Sequence, residues 1–316
     1  MTKKVVAIGG GHGLSGISRQ MNRYPVDYTA IVTPCDDGGL TRVYRTDYDV
    51  LSVGDYTLVV ESLSPLSDEL KRGLNHRPGN GKFNGNSARH TIFASLCMEH
   101  GPERAMKLIR EIYQIPENRR IYLPTLEKCT LCAELEDETK IREETYIDTR
   151  LYEEGKQIER VFLDPSNPEV YEPSRESILN ADMVIFGPGS LYTSTLPSCL
   201  VTGISDALRR IKGRKIYVCN LFTEPGSTHG YTVSRHLEAL RDHGVDIDTV
   251  LVHTDGLNGS VIEAYEKEGK YRVEFDRDKT GRLVDEIIEG DFVLRDEAPL
   301  RHSDATGEVL LELLNR

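Results

Sequence analysis

Four apolar residues, Val5-Val6-Ala7-Ile8, stop abruptly at Gly9, and the ten residues from Ala7 read AIGGGHGLSG. An unbroken apolar run of this length suits a strand buried on both faces, as in a parallel sheet. Gly11, Gly13 and Gly16 then fall on a G-x-G-x-x-G spacing, and Leu14, Ile17 and Met21 continue at helical spacing. Strand, glycine turn and helix start in that order leave backbone N–H groups free to face a phosphate.

The remainder repeats the alternation. Residues 28–32 (YTAIV) read as a second strand running into Pro34-Cys35-Asp36-Asp37-Gly38-Gly39. Asp36 follows Gly16 by 20 residues, where a Rossmann-type unit puts an acid beside a ribose. Residues 54–64 predict a helix capped near Asp55, 75–86 a surface loop, and 87–99 and 102–113 two further helices. Between 121 and 163 short β-type segments appear, among them CTLCAEL and TKIREETYI. These predict a small β-rich insertion, bounded at about 116–165. Strands at 183–186, 215–219 and 249–252 follow, with helices near 174–180, 194–210 and 231–242. The pattern predicts one domain over 1–316: a Rossmann-like, three-layer, doubly wound, mostly parallel sheet.

A second glycine turn closes the strand at 183–186. Gly187, Pro188 and Gly189 turn the chain, and Ser190, Tyr192, Thr193 and Ser194 bring hydroxyls to a helix start. A third strand ends at Asn220 and enters LFTEPGSTHG at 221–230. Three such loops at one edge of a parallel sheet form a cleft at its switch point. The first turn (Gly10, Gly11, His12, Gly13, Leu14) and the second (Gly187, Gly189, Ser190, Leu191, Tyr192) are the candidate diphosphate contacts. Asn220, Thr223, Pro225 and Gly226 are candidates for the base or ribose. Asp36 and Asp37, adjacent acids before Gly-Gly, are candidates for a ligand, Mg²⁺ or a catalytic role.

Charge narrows the partners. Lys and Arg number 39 against 51 Asp and Glu, a formal charge of −12. Nucleic acid and anionic membranes are bound by clustered cations, so neither is expected. No apolar run reaches the length of a membrane span. Nor does the start resemble a targeting signal. Six scattered cysteines are too sparse for a disulfide framework, and a reduced cytoplasmic protein is expected. Cys129 and Cys132 have zinc-knuckle spacing without a second ligand pair, and on a strand they face opposite ways; core packing is expected. His236 and His243 share a helix face too far apart for one metal and are read as surface residues. A homo-oligomer is expected.

GGGHGLS, DDGG, TLEKCTLCAELED, GPGSLYTSTLP and YVCNLFTEPGSTHGY together resemble the family that holds the bacterial gluconeogenesis factor YvcK and, more distantly, the 2-phospho-L-lactate transferase CofD. The resemblance runs from about residue 4 to the C-terminus. It implies a Rossmann-like domain with a nucleotide site at the strand ends, binding of UDP-N-acetylglucosamine-type sugars, and roles in carbon metabolism, cell shape and envelope control. In the CofD branch it implies metal-dependent transfer of a phospholactyl-type group from a guanosine diphosphate-linked donor, with Asp36 and Asp37 near the metal. The chain departs from the pattern at 40–45, 56–58 and 86–90, where a sugar or second phosphate would lie. Arg42, Arg45 and Arg89 are the candidate replacement phosphate contacts. An NAD(P) oxidoreductase, suggested by GxGxxG alone, fits less well, because the doubled acid and the second glycine turn have no place in it.

Overall fold

Lys4–Gly9 forms the first strand, β1, and every residue after Lys4 is buried. Alternation sends Val6 and Ile8 into one core and Val5 and Ala7 into another, so this strand is covered on both faces. The computed structural model describes residues 2–82, 84–147, 156–294 and 300–316. The chain continues through α1 (Gly11–Met21), β2 (Asp27–Val32), α2 (Gly39–Asp47), α3 (Gly54–Leu63), α4 (Asp68–Asn75), α5 (Ala88–His100), α6 (Pro102–Ile112) and β3 (Arg119–Tyr122). Next come β4 (Thr130–Leu135), β5 (Lys140–Arg142), β6 (Ile158–Asp164), α7 (Glu172–Leu179) and β7 (Met183–Phe186). A π-helical turn (Leu191–Thr195) leads to α8 (Leu196–Cys199), α9 (Thr202–Arg210), β8 (Arg214–Val218), α10 (Val233–Asp242) and β9 (Thr249–His253). The chain then forms α11 (Gly259–Lys267), α12 (Arg277–Thr280), β10 (Glu286–Gly290), β11 (Val293–Leu294), β12 (Arg301–His302) and α13 (Asp304–Asn315).

Seven strands form one sheet in the order β10-β9-β8-β7-β1-β2-β3, and all of its pairs are parallel. The order reverses between β1 and β7, the switch point at which an open α/β sheet leaves a crevice beyond its strand ends. One core holds residues of α1, α3, α5, α6 and α13, including Leu14, Tyr56, Phe93, Ile109 and Leu310. The other holds residues of α7, α9, α10 and the small antiparallel sheet β5-β4-β6. The expected three-layer architecture is thus present. Among the described residues no helix is long and apolar enough to cross a membrane.

Several boundaries differ from the sequence reading. β3 is the edge of the main sheet, so the added β structure starts after it. TKIREETYI is strand only at Lys140–Arg142; Glu143 takes φ 75° and residues 144–147 are helical. The helix expected over 194–210 is broken into the π-helical turn, α8 and α9, with Pro197 near the start of α8. His236 and His243 are not surface residues. His236 is fully buried, bonded through Nδ1 to the Thr232 carbonyl and stacked on Tyr217. His243 is half-buried, and its Nε2 accepts the Val161 N–H at 3.0 Å because β6 packs over this end of α10.

Arg119, only 5% exposed, fixes the turn between α1 and β2. Its guanidinium donates to the carbonyls of Val26 (2.6 Å), Tyr24 (2.9 Å) and Asn22 (3.3 Å) and to Asn22 Oδ1 (2.9 Å). Such carbonyls are costly to leave unpaired. Arg119→Ala should therefore cost about 3 kcal/mol of stability. In urea unfolding that appears as a lower midpoint; an unchanged midpoint would show that water replaces the guanidinium freely.

Candidate functional site

The carboxyl ends of β1, β2, β7 and β8 meet at one edge of the sheet, and three helices start there. Gly10 is the N-cap of α1, Gly38 of α2 and Val53 of α3, and none of the three supplies a side-chain cap bond of its own. Helix N-termini carry partial positive charge and free N–H groups. Two carboxylates answer them. Asp36 accepts the Gly38 N–H at 3.0 Å and the Thr41 hydroxyl at 3.1 Å. Asp55 accepts the backbone N–H of Gly11.

The glycines of the opening motif are explained by what they admit. A Cβ on Gly10 would lie 2.7 Å from Asp55 Oδ2 and 2.8 Å from Ser194 Oγ, and one on Gly11 would overlap Asp55 Oδ1. A Cβ on Gly54 would lie 2.6 Å from Asp36 Oδ2. Gly13 permits α1 to rest on the second turn, since a Cβ there would overlap the carbonyl oxygen of Pro188. Ser194 stands between the two turns, close to Gly10 and Gly189 alike.

The sequence reading paired Asp36 with Asp37; the fold pairs Asp36 with Asp55. Asp37 turns toward the added sheet, where its Oδ1 accepts the N–H (3.1 Å) and hydroxyl (2.7 Å) of Thr145. Asp55 does not cap its own helix, because it is the second residue of α3 and bonds across to α1. No sequence signal marked this: Gly54 makes room for Asp36, and it is the packing of α3 on α1 that turns Asp55 across. Burial, then the charge of Asp36, pushes the Asp55 carboxyl up to about 7, against the opposing pull of the Gly11 N–H and Arg89.

The second turn is held from behind. Gly187 and Gly189 take φ 72° and 146°, open to glycine. Asn220 donates to the Gly189 carbonyl at 2.7 Å and accepts the Tyr217 hydroxyl at 3.2 Å, so its amide positions the turn. Ser190 caps the turn through the Thr193 N–H at 3.4 Å. Leu14, Leu191 and Tyr192 point into the core; the Tyr192 hydroxyl shares a 2.9 Å bond with Tyr231. His12 is exposed. Thr223 is tied to Tyr271 by its N–H (2.7 Å) and hydroxyl (3.1 Å), whereas Pro225 and Gly226 are half-buried beside Glu224. Burial raises the Glu224 carboxyl above its ordinary range.

The three arginines are engaged with the protein. Arg42 pairs with Glu143 at 2.8 Å and lies 3.8 Å from Asp37. Arg45 donates to the carbonyls of Pro34 (2.9 Å) and Cys129 (2.6 Å). Arg89 pairs with Glu61 at 3.2 Å, near enough to Asp55 to draw on its charge.

Among the described residues no three His, Cys, Asp or Glu side chains gather as a metal site. Two carboxylates alone suit Mg²⁺, which keeps waters and takes its remaining ligands from phosphate oxygens. A cleft of about 230 Å³ opens at the opposite, amino edge, lined by Lys4, Asp27, Thr29, Arg120 and Tyr122. Helix N-termini and paired carboxylates are both at the carboxyl edge, so we place the site there.

Comparison with known proteins shows the family to which the chain belongs. The family model described as 2-phospho-L-lactate transferase CofD matches residues 5–293. A gluconeogenesis factor from Halalkalibacterium halodurans is 37% identical over 98% of this chain and 96% of its own length. A gluconeogenesis factor from Bacillus subtilis is 33% identical over 98% of each chain. The crystal structure of a UPF0052-family protein from Bacillus halodurans superimposes with a TM-score of 0.92 at 35% identity, covering 98% of this chain and 99% of that one.

The Asp55 carboxyl makes stability depend on pH in a defined direction. Its native value of about 7 lies above the unfolded value near 3.8, so between those pH values the folded state holds a proton the unfolded state releases. Stability from this group therefore falls as pH rises from about 4 to 7, and the deficit is complete above 7. Asp55→Asn removes it. We expect the variant to melt about 4 °C or more above the parent at pH 8 and level with it near pH 4. Equal melting points at both pH values would mean that Asp55 is freely solvated.

Proposed function

The chain belongs to the CofD family, and from that premise we propose that it binds a nucleoside-diphosphate-linked ligand, a nucleotide sugar of the UDP type, across the switch point of its sheet. The observation that carries this reading is the Asp36–Asp55 pair set among three helix N-termini whose own N-cap residues supply no side-chain cap, with the second glycine turn in contact through Gly13 and Pro188. The N–H groups of the two turns take the diphosphate oxygens. Asn220 keeps the second turn in place, and the loop at 223–228 faces the base or ribose. With two carboxylates present, an anion is accepted in one of two ways. Asp55 holds a proton and donates it in a hydrogen bond to a phosphate oxygen, or a cation offsets both charges. Asp36 and Asp55 would hold that cation; Mg²⁺ there supplies charge neutralisation of the diphosphate. From its resemblance to the gluconeogenesis factors, we read this chain as a nucleotide-sugar-responsive control protein of carbon metabolism and of cell envelope and shape.

The same acidic pair favours one second reading, metal-dependent group transfer of the CofD type. Asp36 and Asp55 would then stand beside the diphosphate as it is cleaved, and the helix N-termini would stabilise the departing nucleoside monophosphate. A dinucleotide oxidoreductase has less support, because Asp36, needed for a ribose, is bonded to Gly38 and Thr41 instead.

A thermal-shift panel of UDP-sugars, GDP and NAD(P), each with and without Mg²⁺, separates these readings. A ligand at 100 times its Kd adds about 2.7 kcal/mol, which raises the melting point by roughly 4 °C in a chain of this length. We expect that rise with a UDP-sugar, larger with Mg²⁺, and mostly lost in Asp36→Asn. A rise confined to GDP with Mg²⁺ would favour transfer, and no rise with any nucleotide would remove the binding reading.

A further inference from the structure

Two of the six cysteines, 94 positions apart in the chain, meet beside the candidate site. Cys35 and Cys129 share a hydrogen bond at a sulfur–sulfur distance of 3.6 Å, and each is 1% exposed. Cys35 directly precedes Asp36, and Cys129 directly precedes β4 of the small sheet. The contact is supported on both sides. Arg45 donates to the carbonyl of Cys129 itself and to that of Pro34, one residue before Cys35. Asp37, two residues after Cys35, holds Thr145 of the added segment. The other cysteines are placed differently: the Cys132 thiol is 4.0 Å from the Thr130 carbonyl, and that of Cys199 is 3.5 Å from the Thr195 carbonyl. The partner of Cys129 is therefore not Cys132 three residues on, which a strand sends to its opposite face, but a thiol from the DDGG turn.

We propose that Cys35 and Cys129 form an oxidation site at which a small hydroperoxide closes a disulfide, tying the small sheet to the turn that carries Asp36. The sulfurs need to approach by about 1.5 Å to reach bonding distance, and the Arg45 and Asp37 ties hold both backbone segments close while they do. Burial selects the oxidant: hydrogen peroxide is small enough to enter, whereas a glutathione-sized disulfide is not. In the first step one thiolate attacks the peroxide O–O bond, giving a sulfenic acid and hydroxide, which takes up the proton lost by that thiol to leave as water. The neighbouring sulfur then attacks the sulfenic sulfur. The S–O bond breaks, and the departing hydroxide leaves with the second thiol proton as another water. Two thiols and one peroxide give one disulfide and two waters, and a dithiol reductant reverses the change.

The test is peroxide treatment of the full chain, alkylation of remaining thiols, and peptide mass spectrometry without reduction. The expected product is a Cys35–Cys129 cross-linked peptide, about 2 Da lighter than the two thiol peptides together. The melting point should rise by several degrees, as closing a long loop predicts, and dithiothreitol should restore the original value. Cys129→Ser should abolish both the cross-link and the rise, while Cys132→Ser should leave both intact. Separate oxidation of the two thiols to sulfinic acids, a cross-link to another cysteine, or thiols still alkylatable once the methionines are oxidised would each overturn the assignment.

Discussion

The arrangement of the carboxyl edge depends on one interaction, the burial of Asp55 against the Asp36 charge inside a cradle of glycines. Burial disfavours the Asp55 carboxylate and the nearby Asp36 charge adds to the penalty, so Asp55 retains its proton to about pH 7. They are tolerated because three helix N-termini point into the same space and supply the N–H of Gly11 and the N–H of Gly38. The glycines at 10, 11 and 54 are the steric condition for this, since side chains there would displace the carboxylates. A phosphate drawn to the same N–H groups meets acids already in place. In the proposed binding mode that tension would make the edge respond to protons and cations rather than act as a plain anion hole.

The rest of the fold keeps this arrangement rigid. Gly13 seats α1 on Pro188, so the two glycine turns are one unit, and Asn220 with Tyr217 braces the second turn from β8. On the other side, Asp37, Arg42 and Arg45 are used to attach the small sheet to the DDGG turn. Their engagement bears on ligand choice. Where phosphate contacts were expected from Arg42, Arg45 and Arg89, each cation already has a protein partner, so the proposed anion contacts are the backbone N–H groups.

Much of this was legible in the sequence, for identifiable reasons. Apolar runs ending in glycine gave β1 and β7 nearly to the residue, because a strand covered on both faces leaves no polar position to blur its ends. The strand–helix alternation gave the parallel sheet. Side-chain direction was not legible. Nothing in Asp36-Asp37 says that one faces the site and the other the small sheet, because that is decided by Thr145, more than a hundred residues away. Asp55 read as a cap since an acid in a first turn usually serves its own helix; only the packing of α3 on α1 sends it across to Gly11. His236 read as exposed because Tyr217, which stacks on it, lies on β8, and the turn before α10 folds Tyr231 back against it.

Proton exchange at Asp55 on ligand binding, as proposed for this site, is read directly by calorimetry. Binding of a UDP-sugar at pH 7, measured in buffers of different ionisation enthalpy, gives the number of protons exchanged. With Mg²⁺ present we expect release of about half a proton from the parent, and without Mg²⁺ an uptake of similar size. Asp55→Asn should show neither. A proton count near zero in both conditions, or one that the variant leaves unchanged, would contradict the claim that Asp55 and Asp36 form the charge-sensing centre of the site.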